Sequence, residues 1–210
     1  MDKPRIVIPG GRPKHQKQLQ MNHPLGGWNC GPTTELVGLE AASRNELRPV
    51  GANRGLWINA IRRPMDHTPS WPATTLQNID ESVNSNYINR RMRQRGLGGV
   101  TGRMRKLTFG EVINLLREGR FLHVAIQYSV VNNLMPGLSG APDFNDGHAI
   151  GLYGYEWQNV AWTYLYDPLH DGRRAGIPKG VQTVRVKRYL RAAETWGNAG
   201  SGNAWVVVID

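Results

Sequence analysis

The chain has 210 residues, with 26 lysines and arginines, 16 aspartates and glutamates, a net charge of +10 and a single cysteine. At about 150 residues per domain this length predicts one domain, and one cysteine excludes an intramolecular disulfide and a multi-cysteine metal cluster. No apolar run reaches the roughly 18 residues of a membrane span, and the first residues do not form a secretory signal. The net charge is compatible with nucleic acid, with an anionic cell wall or with plain solubility.

The N-terminal segment is polar and rich in glycine, proline and basic residues. Residues 1–17 are predicted to form an extended basic arm that precedes a single domain over 18–210, with a short strand at 6–8. An extended segment over 1–29 suits contacts with neighbouring proteins of an assembly, for example in a phage virion.

The first predicted helix begins at Cys30-Gly31-Pro32 and continues to residue 42, because proline fits the first helical turn and an apolar face follows. Residues 43–85 are predicted to be irregular, since four prolines interrupt them. Only short helical pieces fit there, over 57–61 and 74–82.

The segment 82–110 contains no acidic residue. Its basic residues over 90–106 are Arg90, Arg91, Arg93, Arg95, Arg103, Arg105 and Lys106. A cluster of this density can neutralise several phosphates of an anionic partner. No Phe, Tyr or Trp lies between residues 88 and 108, so a platform for base stacking is missing and a solvated loop is favoured over a nucleic-acid site.

The second half has a clearer pattern. Thr108 and Glu111 form a capping box that predicts a helix to about residue 117. Strands are predicted over 121–131, 148–155, 160–166, 182–186 and 204–209, a loop over 132–147 and a helix over 187–196. Helices in the first half and antiparallel strands in the second predict an α+β fold.

Cys30 is a candidate nucleophile because it begins a helix, where the helix dipole favours a thiolate. A lone cysteine is more often a small buried apolar residue. The flanking Gly31 and Pro32 fix the turn, and the apolar face of the helix begins only at Leu36, which places Cys30 at the helix start.

His148 and Asp167 are the candidate base and its orienting acid. His148 opens one predicted strand and Asp167 closes the next, so a hairpin of the two strands brings them side by side. A thiol needs a base to take its proton and an acceptor to hold the imidazole. The Cys30 backbone N–H and an upstream side chain are the expected donors to the oxyanion. Gln20 is the first candidate for that side chain and Gln18 the second.

Metal and cofactor sites are not predicted. Asp146 with His148, and His170 with Asp171, are pairs of suitable ligands, but no His-x-x-x-His spacing and no phosphate-binding Gly-Lys-Ser/Thr loop occurs.

The Cys-Gly-Pro-Thr-Thr sequence at residues 30–34, the Gly-His strand and the Asp-Pro after the next strand resemble the papain-like cysteine peptidases. Among these the chain is most similar to the bacteriocin-processing (double-glycine leader) peptidases and their phage and bacterial relatives. The resemblance covers about residues 18–209, weakly over 43–85. It implies a papain-like fold, with Cys30 as nucleophile, His148 as base, Asp167 as orienting acid and Gln20 as oxyanion donor.

Three functions are compatible with this resemblance. The first expectation is a peptidase that cleaves peptidoglycan peptides, as part of a phage lytic or tail-associated apparatus, in the virion or released to the cell wall without a signal peptide. The second is a protease that processes phage or bacterial proteins, in the bacterial cytoplasm. The third is a catalytically weak or inactive virion protein that keeps the fold.

Overall fold

The structure is a computed structural model. It describes residues 5–6, 29–42, 58, 61–62, 75–85, 87–94, 96, 99–139, 141–169, 181–196 and 199–210. The helices are α1 (Cys30–Ala42), α2 (Leu76–Ser85), α3 (Tyr87–Gln94), α4 (Phe109–Arg117), α5 (Tyr128–Leu134) and α6 (Val186–Thr195), and a 3-10 turn covers Pro136–Leu138. The strands are β1 (Arg5–Ile6), β2 (Gly102–Thr108), β3 (Phe121–Gln127), β4 (Gly147–Trp157), β5 (Ala161–Tyr166), β6 (Val181–Arg185) and β7 (Asn203–Ile209).

The strands form one antiparallel sheet in the order β2-β7-β3-β4-β5-β6. The short strand β1 pairs with the far end of β4, where Arg5 is opposite Glu156 and Ile6 is opposite Tyr155. The fold is α+β, which confirms the class that the sequence predicts.

Helices cover both faces of the sheet, and the strand residues alternate between them. In β3, Phe121 and Ala125 pack with α1 and α2, whereas Leu122 and Val124 pack with α4, α5 and α6. Burying one such apolar side chain stabilises a fold by roughly 1.5–3 kcal/mol. The two layers together therefore hold the sheet and its helices in fixed positions.

Two glycines allow α1 to lie close to the sheet. A Cβ atom on Gly38 would lie 2.7 Å from Ile209 Cδ1 and 2.8 Å from Phe121 Cδ1, and one on Gly151 would lie 2.3 Å from Phe121 Cζ. Any side chain at either position would push helix and sheet apart. This close packing holds α1 against the sheet.

Strand β4 contains an irregularity between Tyr153 and Glu156, and Gly154 there has a φ of +69°. The irregularity reverses the alternation of the strand, since Leu152 and Tyr155 both pack in the α6 layer. Glycine is the residue that adopts this backbone conformation without strain. After the irregularity, Tyr155 therefore lies on the same face of the sheet as Leu152.

The structure confirms the capping box, because the Thr108 side chain accepts from the backbone of Glu111 and the Glu111 carboxylate accepts from Thr108. The strand predicted over 121–131 is too long. It ends at Gln127, and the chain continues as α5, because Tyr128, Val131 and Met135 are buried at helical spacing.

The basic stretch 90–106 contains parts of α3 and β2, for which the sequence pattern predicts no element. Strand β2 is an edge strand with exposed Arg103 and Arg105, so its register comes from pairing with β7 and not from an apolar alternation. The helical piece expected over 74–82 begins and ends later, as α2. No described helix is long and apolar enough to cross a membrane.

Candidate active site

Cys30 is the first residue of α1 and remains partly exposed, whereas the next eleven residues of the helix are buried. The carbonyl of Asn29 accepts the first helical hydrogen bond, from the Thr33 N–H at 2.9 Å. The Asn29 side chain accepts from Arg62 Nη1 at 2.9 Å. The thiol therefore stands at the positive end of a helix whose start is held from both sides.

Two hydrogen bonds join the start of α1 to the sheet. The Thr34 hydroxyl donates to the carbonyl of Ala149 at 3.2 Å, and His123 Nε2 lies 3.3 Å from the carbonyl of Gly31. Burial lowers the pKa of His123 to about 4, so the ring is neutral at pH 7 and Nε2 is the donor. These bonds place Cys30 next to the first residues of β4.

The β4–β5 hairpin brings His148 and Asp167 together, with 2.8 Å between His148 Nε2 and Asp167 Oδ1. Both side chains are inaccessible to solvent. The second ring nitrogen, Nδ1, has no well-formed hydrogen bond among the described residues and is the one available to Cys30. Contacts between a nucleophile and its base are often long before substrate binds. An Nδ1 without a well-formed hydrogen bond is therefore compatible with His148 acting as the base for Cys30.

Asp167 is held by three donors. Besides His148, the Tyr128 hydroxyl donates to Oδ2 at 2.9 Å, and the Leu169 N–H donates to Oδ1 at 2.8 Å. Burial raises the pKa of Asp167, but the positive charge of His148 and these hydrogen bonds together lower it below its usual value. The carboxylate is thus ionised and fixed.

The pKa values of the thiol and the imidazole move in opposite directions. Burial raises the pKa of Cys30, but the polar contact and charge of His148, with the N–H groups of Ala149 and Gly31, lower it overall. Burial lowers the pKa of His148, but the Asp167 carboxylate and the thiolate raise it to about 9. Both shifts favour a thiolate next to an imidazolium.

Aromatic rings enclose the imidazole. Tyr128 and Phe144 meet His148 edge-on, with ring centroids at 5.0 Å and 5.9 Å. A Cβ atom on Gly147 would lie 2.1 Å from the ring of Trp196, so Gly147 makes space for that indole.

The structure brings Cys30, His148 and Asp167 together, while their catalytic roles stay a prediction. Gln20 lies outside the described residues. The sequence analysis missed Tyr128, which it placed in a strand, and gave His123 no role. The helical spacing of Tyr128 with Val131 was the available signal for the first, and no pattern singles out the second.

Among the described residues, no group of three or more His, Cys, Asp or Glu side chains is arranged to hold a metal ion. His170 and Asp171, one of the pairs with suitable ligand chemistry, lie outside those residues.

No protein-family model and no curated protein sequence matches the chain. Among solved structures, the chain is similar to a proposed C39-like peptidase from Bacillus anthracis. The TM-score is 0.52 at 13% sequence identity, over 99% of this chain and 98% of the other. The chain has the fold of that C39-like protein. At this identity the likeness concerns the fold, and the chemistry must be argued from the site itself.

Proposed function

We propose that this protein is a cysteine peptidase that uses Cys30 as nucleophile, His148 as general base and acid, and Asp167 as orienting carboxylate. The observation that carries the proposal is the position of Cys30, at the start of α1, beside the buried His148–Asp167 pair. The opposite pKa shifts of thiol and imidazole agree with it. The C39-like fold supports a peptidase over other thiol chemistries.

In the first half of the reaction, the Cys30 thiolate attacks the carbonyl carbon of the scissile peptide bond and the carbonyl oxygen takes the negative charge. We assign the Cys30 backbone N–H and the Gln20 side chain as donors to this oxyanion. The His148 imidazolium then gives its proton to the leaving amine. The C–N bond breaks, and an acyl group remains on the Cys30 sulfur as a thioester.

In the second half, neutral His148 takes a proton from a water molecule, which attacks the thioester carbon. The C–S bond breaks, the carboxylic acid product leaves and the pair returns to thiolate and imidazolium. Throughout, Asp167 keeps Nε2 of His148 as the donor, so that Nδ1 faces the reacting atoms. The Tyr128 and Leu169 donors keep Asp167 from turning.

As substrate we propose the peptide part of bacterial peptidoglycan, in the setting of a phage lytic or tail-associated protein. The net charge of +10 supports this substrate, because cell walls are anionic and opposite charge speeds association. A protein-processing protease would share the same three residues and differ only in substrate.

The test is incubation of the full chain with purified peptidoglycan and, separately, with unfolded casein, followed by quantification of new amino groups. We expect release from peptidoglycan, its loss in Cys30→Ala, and no change in Gln77→Ala, an exposed position on α2. Release that persists in Cys30→Ala would exclude the thiol mechanism. Cleavage of casein alone would contradict the substrate and leave the mechanism standing.

A further inference from the structure

A cavity lies on the α6 side of the sheet, at the far end of β4 from His148. Its volume is about 640 Å³, within the range of small-molecule sites in proteins. From His148 to Trp157 along β4 is nine residue steps, or about 30 Å, and from Ala161 to Asp167 along β5 is six steps, or about 20 Å. The cavity is therefore separate from the proposed active site.

Four basic side chains line this cavity, and no acidic residue of the described part of the chain does. They come from the end of β6 and the first turns of α6: Arg185, Lys187, Arg188 and Arg191. All four are exposed, and none forms an ion pair with a carboxylate among the described residues. Arg185 lies over the Trp162 ring instead, at 5.5 Å. Four exposed cations around one concave surface, with no ion-pair partner among the residues that the structure describes, create a strongly positive potential.

The same cavity has an apolar wall. Three large apolar side chains are exposed among the described residues, and two of them, Trp157 and Val160, line the cavity with exposures of 47% and 39%. Exposed apolar side chains gathered in a concave site mark a binding surface more often than scattered ones do. The irregularity at Gly154 changes which residues of β4 face the α6 side of the sheet after that point.

From these observations we propose that the cavity binds a small organic anion in which a phosphate or carboxylate group is joined to an aromatic or apolar group. The anionic group pairs with Arg188 and Arg191, since guanidinium groups bind such oxygens through paired hydrogen bonds. The apolar group covers Trp157 and Val160. The proposal does not rest on peptidase activity, because none of these residues contacts the Cys30 site.

The test uses 1-naphthyl phosphate as probe, with the full chain, in calorimetric titrations at low salt. Inorganic phosphate and 1-naphthol are the matched ligands that carry the charge alone and the ring alone. We expect 1-naphthyl phosphate to bind at least about tenfold more tightly than either, because charged hydrogen bonds and apolar burial each contribute on that scale.

Three variants at the cavity and two control variants decide the location. Arg188→Glu with Arg191→Glu should weaken binding at least about tenfold; Trp157→Ala should weaken it severalfold and Trp157→Phe should restore much of the loss. Arg103→Glu with Arg105→Glu, an equal double charge reversal on exposed β2, should leave affinity unchanged, as should Cys30→Ala. Circular dichroism confirms that each variant is folded.

Several results would overturn the proposal. These are no detectable binding at millimolar probe, equal affinity for inorganic phosphate, an unchanged affinity in the Arg188/Arg191 double variant, or an equal loss in the Arg103/Arg105 double variant. The last outcome would mean that the probe follows the overall charge of the protein and not this cavity. Because Cys30→Ala is included, loss of peptidase activity and loss of binding are distinguished in the same set of proteins.

Discussion

The two ends of strand β4 differ in the burial and pairing of the charged side chains around them. At the His148 end, the imidazole and the Asp167 carboxylate are both buried, joined at 2.8 Å and supplied with further donors. At the Trp157 end, four cations are exposed and share no described carboxylate. A buried pair of fixed geometry suits proton transfer, whereas exposed cations without a described ion-pair partner are able to bind an anionic ligand. The proposed catalytic site and the proposed binding site therefore lie at opposite ends of one strand and differ in the burial and pairing of their charged groups.

The largest expected effect is at the buried end. His148→Ala removes the group that moves the proton, so we expect kcat to fall by about 10⁴-fold or more. Peptide hydrolysis at constant enzyme and saturating substrate measures this, with Gln77→Ala as the control. A fall of less than tenfold would remove His148 from the mechanism.

Replacing the acid tests whether its charge matters. Asp167→Asn keeps the shape and the Tyr128 contact but removes the negative charge that raises the pKa of His148 from burial-lowered values to about 9. We expect kcat to fall by about 10³-fold and the pKa of His148 to drop in an NMR titration. If the pKa stays unchanged, the charge of Asp167 does not stabilise the imidazolium.

The lowered pKa of His123 lets us predict how low pH changes the free energy of unfolding. Its folded pKa of about 4 lies below the unfolded value of 6.5, so the unfolded chain binds the proton more readily. Stability from this group is present above pH 6.5 and is lost as the pH falls toward 4, by up to roughly 3 kcal/mol.

Chemical denaturation at several pH values measures this slope, and His123→Gln should flatten it, because an amide can still donate to the Gly31 carbonyl without titrating. An equal slope in both proteins would mean that another group causes the acid sensitivity.

Tyr128→Phe should have a smaller effect, because the ring still packs against His148 while one donor to Asp167 is lost. One such hydrogen bond contributes about 1–2 kcal/mol, so we expect kcat to fall by roughly tenfold and the pH profile to shift through Asp167. A loss of stability with an unchanged pH profile would assign Tyr128 a purely structural role.

The exposed end should show the smallest effect on stability. Arg188→Gln removes a cation that has no described acidic partner, so we expect the free energy of unfolding to change by less than about 0.5 kcal/mol. Asp167→Asn should cost more by the same measurement, because it leaves a buried network incomplete. Equal losses in the two variants would erase the contrast between the ends of β4.

Much of this arrangement follows from local sequence. The hairpin of β4 and β5 is enough to place Asp167 beside His148, and the turn at Cys30 is enough to begin α1. The role of Tyr128 depends on where β3 gives way to α5, which the apolar residues after Gln127 do not decide alone. The cavity is formed by residues of β4, β5 and α6 that are distant in sequence, so only the folded chain brings them together. The dense basic stretch over 90–106 supplies none of the four cations around the cavity.

The most direct test of the central claim uses the fact that Cys30 is the only cysteine in the chain. The rate of its alkylation by iodoacetamide, followed by mass spectrometry from pH 4 to 10, reports the thiolate fraction at that one site. We predict rapid alkylation well below pH 8 in the native protein. In His148→Ala the curve should move toward the ordinary thiol pKa of about 8.5. Native and His148→Ala proteins that titrate together near that value would contradict the thiolate–imidazolium pair.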